Sequence, residues 1–232
     1  MKLNIDLDSN RIFEIIKREK TLEKAYVAIM DSCFVEKVCF TEEDKLKLSN
    51  TISKLKEKLE DANIKFWIDW GTFLGAYRSN QIIAWDKDID LGILSKDKNK
   101  FIELIKRNPE FFTIEKNEEH YVSLKSKLLK RKWTGAEIDI NIWDKLENGS
   151  GTFLIGGDCL EPRSYSHFEK LNNIMLEDLD LLLPCPSLSS AETHLEDMYV
   201  KNFMLPPGNP LLDSKGQPWS ENQGGRLNKN LT

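Results

Sequence analysis

Six residues, Asp86-Lys87-Asp88-Ile89-Asp90-Leu91, constrain this chain more than any other stretch. In an extended strand, residues two apart share a face, roughly 6.6 Å from each other. Asp88 and Asp90 therefore point one way, and Ile89 and Leu91 the other. The aliphatic pair asks for a packed core. The carboxylate pair repels, at a cost on the order of several kcal/mol in a partly shielded site, unless a cation lies between the two acids. A calcium loop of the EF-hand type starting at Asp86 is excluded, because its sixth position would be Leu91 instead of glycine and its twelfth Asp97 instead of glutamate. A solvated charge cluster and plain turn chemistry are the ordinary competitors.

Gly71-Thr72, seventeen residues before Asp88, shifts that balance. It follows the apolar run Ile64 to Ile68 and opens a short predicted helix through Arg78. A glycine there permits close backbone approach, and the helix amides with the Thr72 hydroxyl can hold phosphate oxygens. A third carboxylate is expected from a neighbouring strand. In Glu137-Ile138-Asp139-Ile140-Asn141-Ile142 polar and apolar residues alternate, so Glu137, Asp139 and Asn141 share a face. Asp139 is the candidate third ligand, and a carboxylate beside a metal can also take a proton from an acceptor hydroxyl.

The surrounding pattern gives the fold class. A first helix is expected over Ser9 to Met30. A second spans Glu42 to Ala62, capped by Thr41, with Leu48, Ile52, Leu55, Leu59 and Ala62 on one face. Strands are expected at Ile64 to Ile68, Ile89 to Leu94, Tyr121 to Leu129 and Glu137 to Trp143. A helix lies between them at Lys98 to Arg107. Asn148-Gly149 is a hairpin turn returning through Thr152 to Ile155. The order predicts an α/β or α+β protein, a mixed sheet flanked by helices. Three parts follow: an N-terminal helical segment over 1–62, a core over 63–146, and a C-terminal part over 147–232, together one compact unit. The last 28 residues, from Leu205, hold four of the eight prolines and four of the twelve glycines, which predicts an extended tail.

Composition narrows the partners. Lysine and arginine total 33 against 38 acidic residues, a net charge of −5, and the one basic run is Lys125 to Lys132. That argues against a nucleic-acid binder, which needs a basic face. No stretch approaches the ~18 apolar residues of a membrane span, and the charged N-terminus lacks a signal-peptide core, so a cytoplasmic protein is expected. Cys33, Cys39, Cys159 and Cys185 form no CxxC pair, which favours reduced thiols over a zinc site.

Gly71-Thr72-x-Leu74-Gly75-Ala76-x-Arg78, followed by Ile83-x-Trp85-Asp86-x-Asp88-Ile89-Asp90-Leu91-Gly92, resembles the LicD family of phosphorylcholine transferases and fukutin-like proteins. The similarity is firm over about residues 64 to 145, with a weaker echo to Pro207. It implies a nucleotidyltransferase-like catalytic core, magnesium or manganese, a CDP-activated donor such as CDP-choline or CDP-ribitol, and a glycan or sugar acceptor. Carried over, Asp88, Asp90 and Asp139 would bind metal, with Asp86 supporting them from the edge. Gly71, Thr72, Arg78 and Lys87 would line the donor site. Arg78 suits a donor phosphate or a nearby carboxylate, against the ordinary reading of a surface salt bridge. Lys87 stands where bacterial members often carry an acid, which leaves choline versus alditol phosphate open. Two alternatives remain at this point: nucleotidyl transfer from a triphosphate onto a small molecule, and a non-catalytic binding module of the same fold.

Overall fold

The structure, a computed structural model, describes residues 42–83, 88–127, 138–149, 151–156 and 159–199. The expected helix over Ser9 to Met30, the Thr41 cap, Asp86, Lys87, Glu137 and the tail from Leu205 lie outside the described residues.

Helix α1 (Glu42–Asp61) buries Leu48, Ile52, Leu55 and Leu59 completely or nearly so, the stripe that the 4-3-4 spacing predicts. Asn63 ends it in the left-handed conformation (φ 48), and the Ile64 N–H donates back to the Leu59 carbonyl at 2.9 Å. Strand β1 (Phe66–Ile68), helix α2 (Trp70–Ser79) and strand β2 (Ile89–Leu94) follow. A 3₁₀ turn at Ser95–Asp97 leads into α3 (Lys98–Lys106). Next come strands β3 (Phe112–Glu118), β4 (Tyr121–Ser126), β5 (Ile138–Asn148), β6 (Gly151–Gly156) and β7 (Cys159–Ser164). A short helix α4 (Ser166–Glu169), the hairpin β8 (Asn172–Leu176) and β9 (Leu181–Cys185), and helix α5 (Ala191–Met198) complete the described chain.

The main sheet runs β1-β2-β5-β4-β3, with β6 on the far half of β5 and β7 beside β6. β2 and β5 are parallel and the other pairs antiparallel, so the sheet is mixed, as expected. The β5–β6 hairpin closes at Asn148↔Gly151, on the turn the sequence marks. Three strand regions escape the sequence pattern. β3 is almost wholly exposed beyond Phe112, an edge strand of charged residues without alternation. β7 carries Pro162, a poor strand former, and among the described residues β8 and β9 pair only with each other. The last described helix, α5, begins at Ala191 directly after a 3₁₀ turn at Leu188–Ser190.

The two sheet faces differ in kind. Ile89, Leu91 and Ile93 lie in register with Ile138, Ile140 and Ile142, and Val122 and Leu124 continue this aliphatic face, all of it buried. α1 covers it, since Thr51 Oγ1 meets Ser126 Oγ at 3.0 Å in the interior. The opposite face carries Trp67, Gly92, Trp143 and the acids. Phe168 of α4 packs on Trp67 (ring centroids 5.0 Å apart) and on Trp143 (6.4 Å), and His194 of α5 packs edge-on against Phe168 (5.0 Å). The acid-bearing face is therefore roofed by aromatics at one end. Gly92 makes that roof possible, because a Cβ there would sit 2.4 Å from the Trp67 indole.

Two consequences can be measured. Gly92→Ala forces the buried indole to move, and urea denaturation should show a loss of roughly 1–3 kcal/mol; an unchanged midpoint would contradict this packing. Burial, helped by His167 and Arg163, pulls His194 down to about 3 from its ordinary 6.5. Between those values the folded protein binds fewer protons than the unfolded chain, so stability falls as pH is lowered through that window. From pH 7 to pH 5 the parent should lose about 2 kcal/mol more than His194→Leu. Equal slopes would show that His194 titrates freely.

Candidate active site

Register fixes the centre of the site. Asp90 on β2 is the direct partner of Asp139 on β5, so the two carboxylate-bearing residues occupy one rung, about 4.8 Å apart at the backbone by strand spacing. At that separation two charges repel by on the order of 3 kcal/mol for an effective dielectric near 20. Each acid has a hydrogen-bonding anchor. Asp139 Oδ1 accepts the Tyr121 hydroxyl at 2.6 Å from β4, and Asp90 Oδ2 accepts the Gly71 N–H at 3.1 Å from the start of α2. Asp88 stands two residues before Asp90, half-buried where β2 begins. Of the three acids named in the sequence, Asp90 and Asp139 are thus brought together on adjacent strands, whereas Asp88 stands just ahead of β2 and is not gathered with them into a metal-holding group.

The start of α2 is built around Asp90. Its N–H donates to Thr72 Oγ1 at 2.8 Å, and its carbonyl accepts the Asp69 N–H at 2.9 Å. With the Gly71 contact, three hydrogen bonds join Asp90 to the four residues 69–72. A helix N-terminus favours an anion, through exposed amides and dipole alike. Here the chain's own carboxylate takes that place. Gly71 and Thr72, read in the sequence as a phosphate cradle, are engaged with Asp90.

Asp69 caps the helix from a fully buried position: its Oδ1 accepts the Trp70 N–H at 3.1 Å and its Oδ2 the Trp143 indole N–H at 2.8 Å. Burial pushes the Asp69 carboxyl up to about 6, against the downward pull of the Trp143 and Trp70 donors and of Arg163. Trp70 itself adopts φ 38, a conformation that costs a bulky residue on the order of 1–3 kcal/mol. Its ring lies 6.4 Å from that of Trp143, and the Arg163 guanidinium sits 5.7 Å over it.

Arg78 is buried, which excludes the surface salt bridge. Asp86 and Lys87 lie outside the described residues, so their expected roles rest on the sequence. The sequence reading passed over Asp69 and Tyr121. An aspartate directly before Trp70-Gly71-Thr72 is an N-cap signature that could have flagged Asp69, whereas Tyr121 becomes visible only once β4 is in register. Asn141, on the same face as Asp139, is buried with both amide atoms unpartnered among the described residues. That costs about 1–3 kcal/mol per group unless a ligand or water supplies partners. Cys185 is a buried thiol, pushed by burial up to about 12, as expected of a reduced structural cysteine.

The acids offer oxygen donors only, the kind that magnesium and manganese take. Among the described residues no three His, Cys, Asp or Glu side chains are gathered into a metal-holding group, so the Asp90–Asp139 rung supplies at most two of the protein ligands there. Among the described residues no helix is long and apolar enough to cross a membrane.

Residues 63–185, more than half of the chain, match the family described as "LicD/FKTN/FKRP, nucleotidyltransferase domain". An uncharacterized protein of Rickettsia typhi, RT0683, is 36% identical over 89 residues, which is 38% of this chain and 28% of that protein. Human ribitol 5-phosphate transferase FKRP is 49% identical over 39 residues, 17% of this chain and 8% of FKRP. These matches thus span little more than a quarter of the relatives' lengths at most. The solved structure of a lincosamide antibiotic adenylyltransferase, LnuA, with lincomycin bound, overlays with a TM-score of 0.39 at 15% identity, covering 61% of this chain and 82% of that one. With its matched segment holding β1, α2, the Asp90–Asp139 rung and the strands that frame it, the chain belongs to the LicD/FKTN/FKRP family and carries its nucleotidyltransferase domain.

Proposed function

We propose that this protein transfers a phospho-substituent from a CDP-activated donor to a hydroxyl of a glycan, with magnesium or manganese bound at Asp90 and Asp139 and with Asp88 drawn in from the start of β2 when the ion is present. The observation that carries the reading is the Asp90–Asp139 rung set against the N-terminus of α2 in a LicD-family domain. The activity for which FKRP is named, ribitol 5-phosphate transfer, weighs toward an alditol phosphate over phosphocholine as the group moved. Asp86, just ahead of the strand, would complete the donor set.

In this reading the acceptor oxygen bonds to the donor's distal phosphorus as the bond to the bridging oxygen breaks, and CMP leaves with that oxygen. The divalent ion, when bound, would neutralise charge on the phosphates and lower the pKa of the attacking hydroxyl. Asp139 takes the hydroxyl's proton, and the Tyr121 hydroxyl on its Oδ1 fixes the direction in which the carboxylate faces. Gly71 and Thr72 act through Asp90, holding its carboxylate and backbone against α2. Arg78, which is buried, is assigned to balancing the negative charge of acids and donor, and Lys87 is assigned the same role from the sequence.

The test has two arms. Asp88→Asn and Asp139→Asn should each lower turnover of CDP-ribitol with a sugar acceptor by roughly 10²–10³-fold while leaving the melting temperature near that of the parent. Full activity in either would overturn the role assignment. A thermal-shift panel should show stabilisation by CDP-ribitol that depends on magnesium. Stabilisation by nucleoside triphosphates alone would point to nucleotidyl transfer onto a small molecule, and no response to any nucleotide would point to a binding module.

A further inference from the structure

We propose that Asp69 is a positioning residue for the transfer reaction, tying the start of α2 to both acid-bearing strands so that Asp90 and Asp139 face each other in fixed register; this rests on the reading of function above. Three observations converge on it. Asp69 is fully buried, so its carboxylate reaches no substrate, and yet both carboxylate oxygens are used. One oxygen holds the Trp70 N–H, which orients the next amide, that of Gly71, toward Asp90 Oδ2. The other holds the Trp143 indole at 2.8 Å, and Trp143 lies on β5 four residues beyond Asp139, on the same face. The backbone N–H of Asp69 closes the arrangement on the Asp90 carbonyl at 2.9 Å. One residue thereby bonds to β2 through its backbone and to β5 through its side chain.

The strain at Trp70 points the same way. A tryptophan at φ 38 persists only where its surroundings over-determine it. Here the Asp69 oxygen fixes its amide, and Trp143 and Arg163 lie against its ring. Relaxation of Trp70 would swing the Gly71 amide away from Asp90. A buried carboxylate is a costly way to cap a helix of ten residues, because an exposed serine or aspartate would do that alone. The link to Trp143 is what a simple cap would not provide.

Asp69→Asn keeps the shape and one acceptor but presents an amide N–H to one of the two donors. Trp143→Phe removes the same link from the other end and keeps a ring against Phe168. Hydrogen exchange on the full chain should show faster exchange in both variants at residues 71–73, 89–94 and 138–143, with α1 and the β8–β9 hairpin as protected as in the parent. With CDP-ribitol and magnesium, each variant should lose roughly 10–100-fold in kcat with donor KM changed by less than about threefold. The double variant should be no worse than the poorer single one, because both cut one bond. Unchanged exchange at those residues would overturn the link, and altered exchange with full kcat would overturn its part in the reaction. A parent without turnover on any CDP donor would overturn the functional reading and the catalytic half of this proposal, while exchange would still decide whether Asp69 holds the two strands.

Discussion

Two carboxylates on one rung of a parallel strand pair are an unfavourable thing to build, and much of this domain reads as the means of holding them. Asp90 and Asp139 are neighbours because β2 and β5 pair in register from Ile89↔Ile138 onward. That register is set from behind: a one-residue slip of either strand would turn its own core residues, Ile89 and Leu91 on β2 or Ile138 and Ile140 on β5, away from the core and put its polar residues in their place. From the front, the Gly71 amide and the Tyr121 hydroxyl each hold one of the acids. Repulsion of on the order of a few kcal/mol is thus offset by packing on one face and directed hydrogen bonds on the other.

The fold was legible where side chains alternate or recur with a clear period. The stripe on α1, the acid-aliphatic alternation of β2 and β5, and the Asn148-Gly149 turn each produced the element expected, with ends shifted by a residue or a few. Elements that owe their existence to partners were not legible. β3 has little to bury because it is the sheet's edge, and nothing in Phe112–Glu118 distinguishes it from a charged loop. The β8–β9 hairpin is held by its own pairing and by contacts such as the Ser49 hydroxyl to the Leu179 carbonyl at 2.6 Å, which link segments 130 residues apart.

The site was legible in its charges and illegible in its scaffold. Asp90 and Asp139 could be named together because parity put each on a polar face and the motif put both in one domain. What the sequence could not give is that Gly71 and Thr72 serve an aspartate of their own chain, or that Asp69 spends both its oxygens inside. Those facts depend on where a helix starts relative to strands that lie 20 and 70 residues further on. The aromatic roof of Trp67, Trp143, Phe168 and His194 illustrates the same limit. Tryptophans in a sequence suggest stacking on a base as readily as core packing, and only the geometry shows two of them pressed against Phe168.

The claim on which all of this turns is that the Asp90–Asp139 rung is where a divalent ion sits. Crystals grown with manganese and CDP, measured at the manganese absorption edge, address it directly. The account predicts an anomalous peak within about 2–2.5 Å of an oxygen from each of Asp90 and Asp139. A saturating manganese soak that leaves the rung empty, or that places the ion on other side chains, would contradict it.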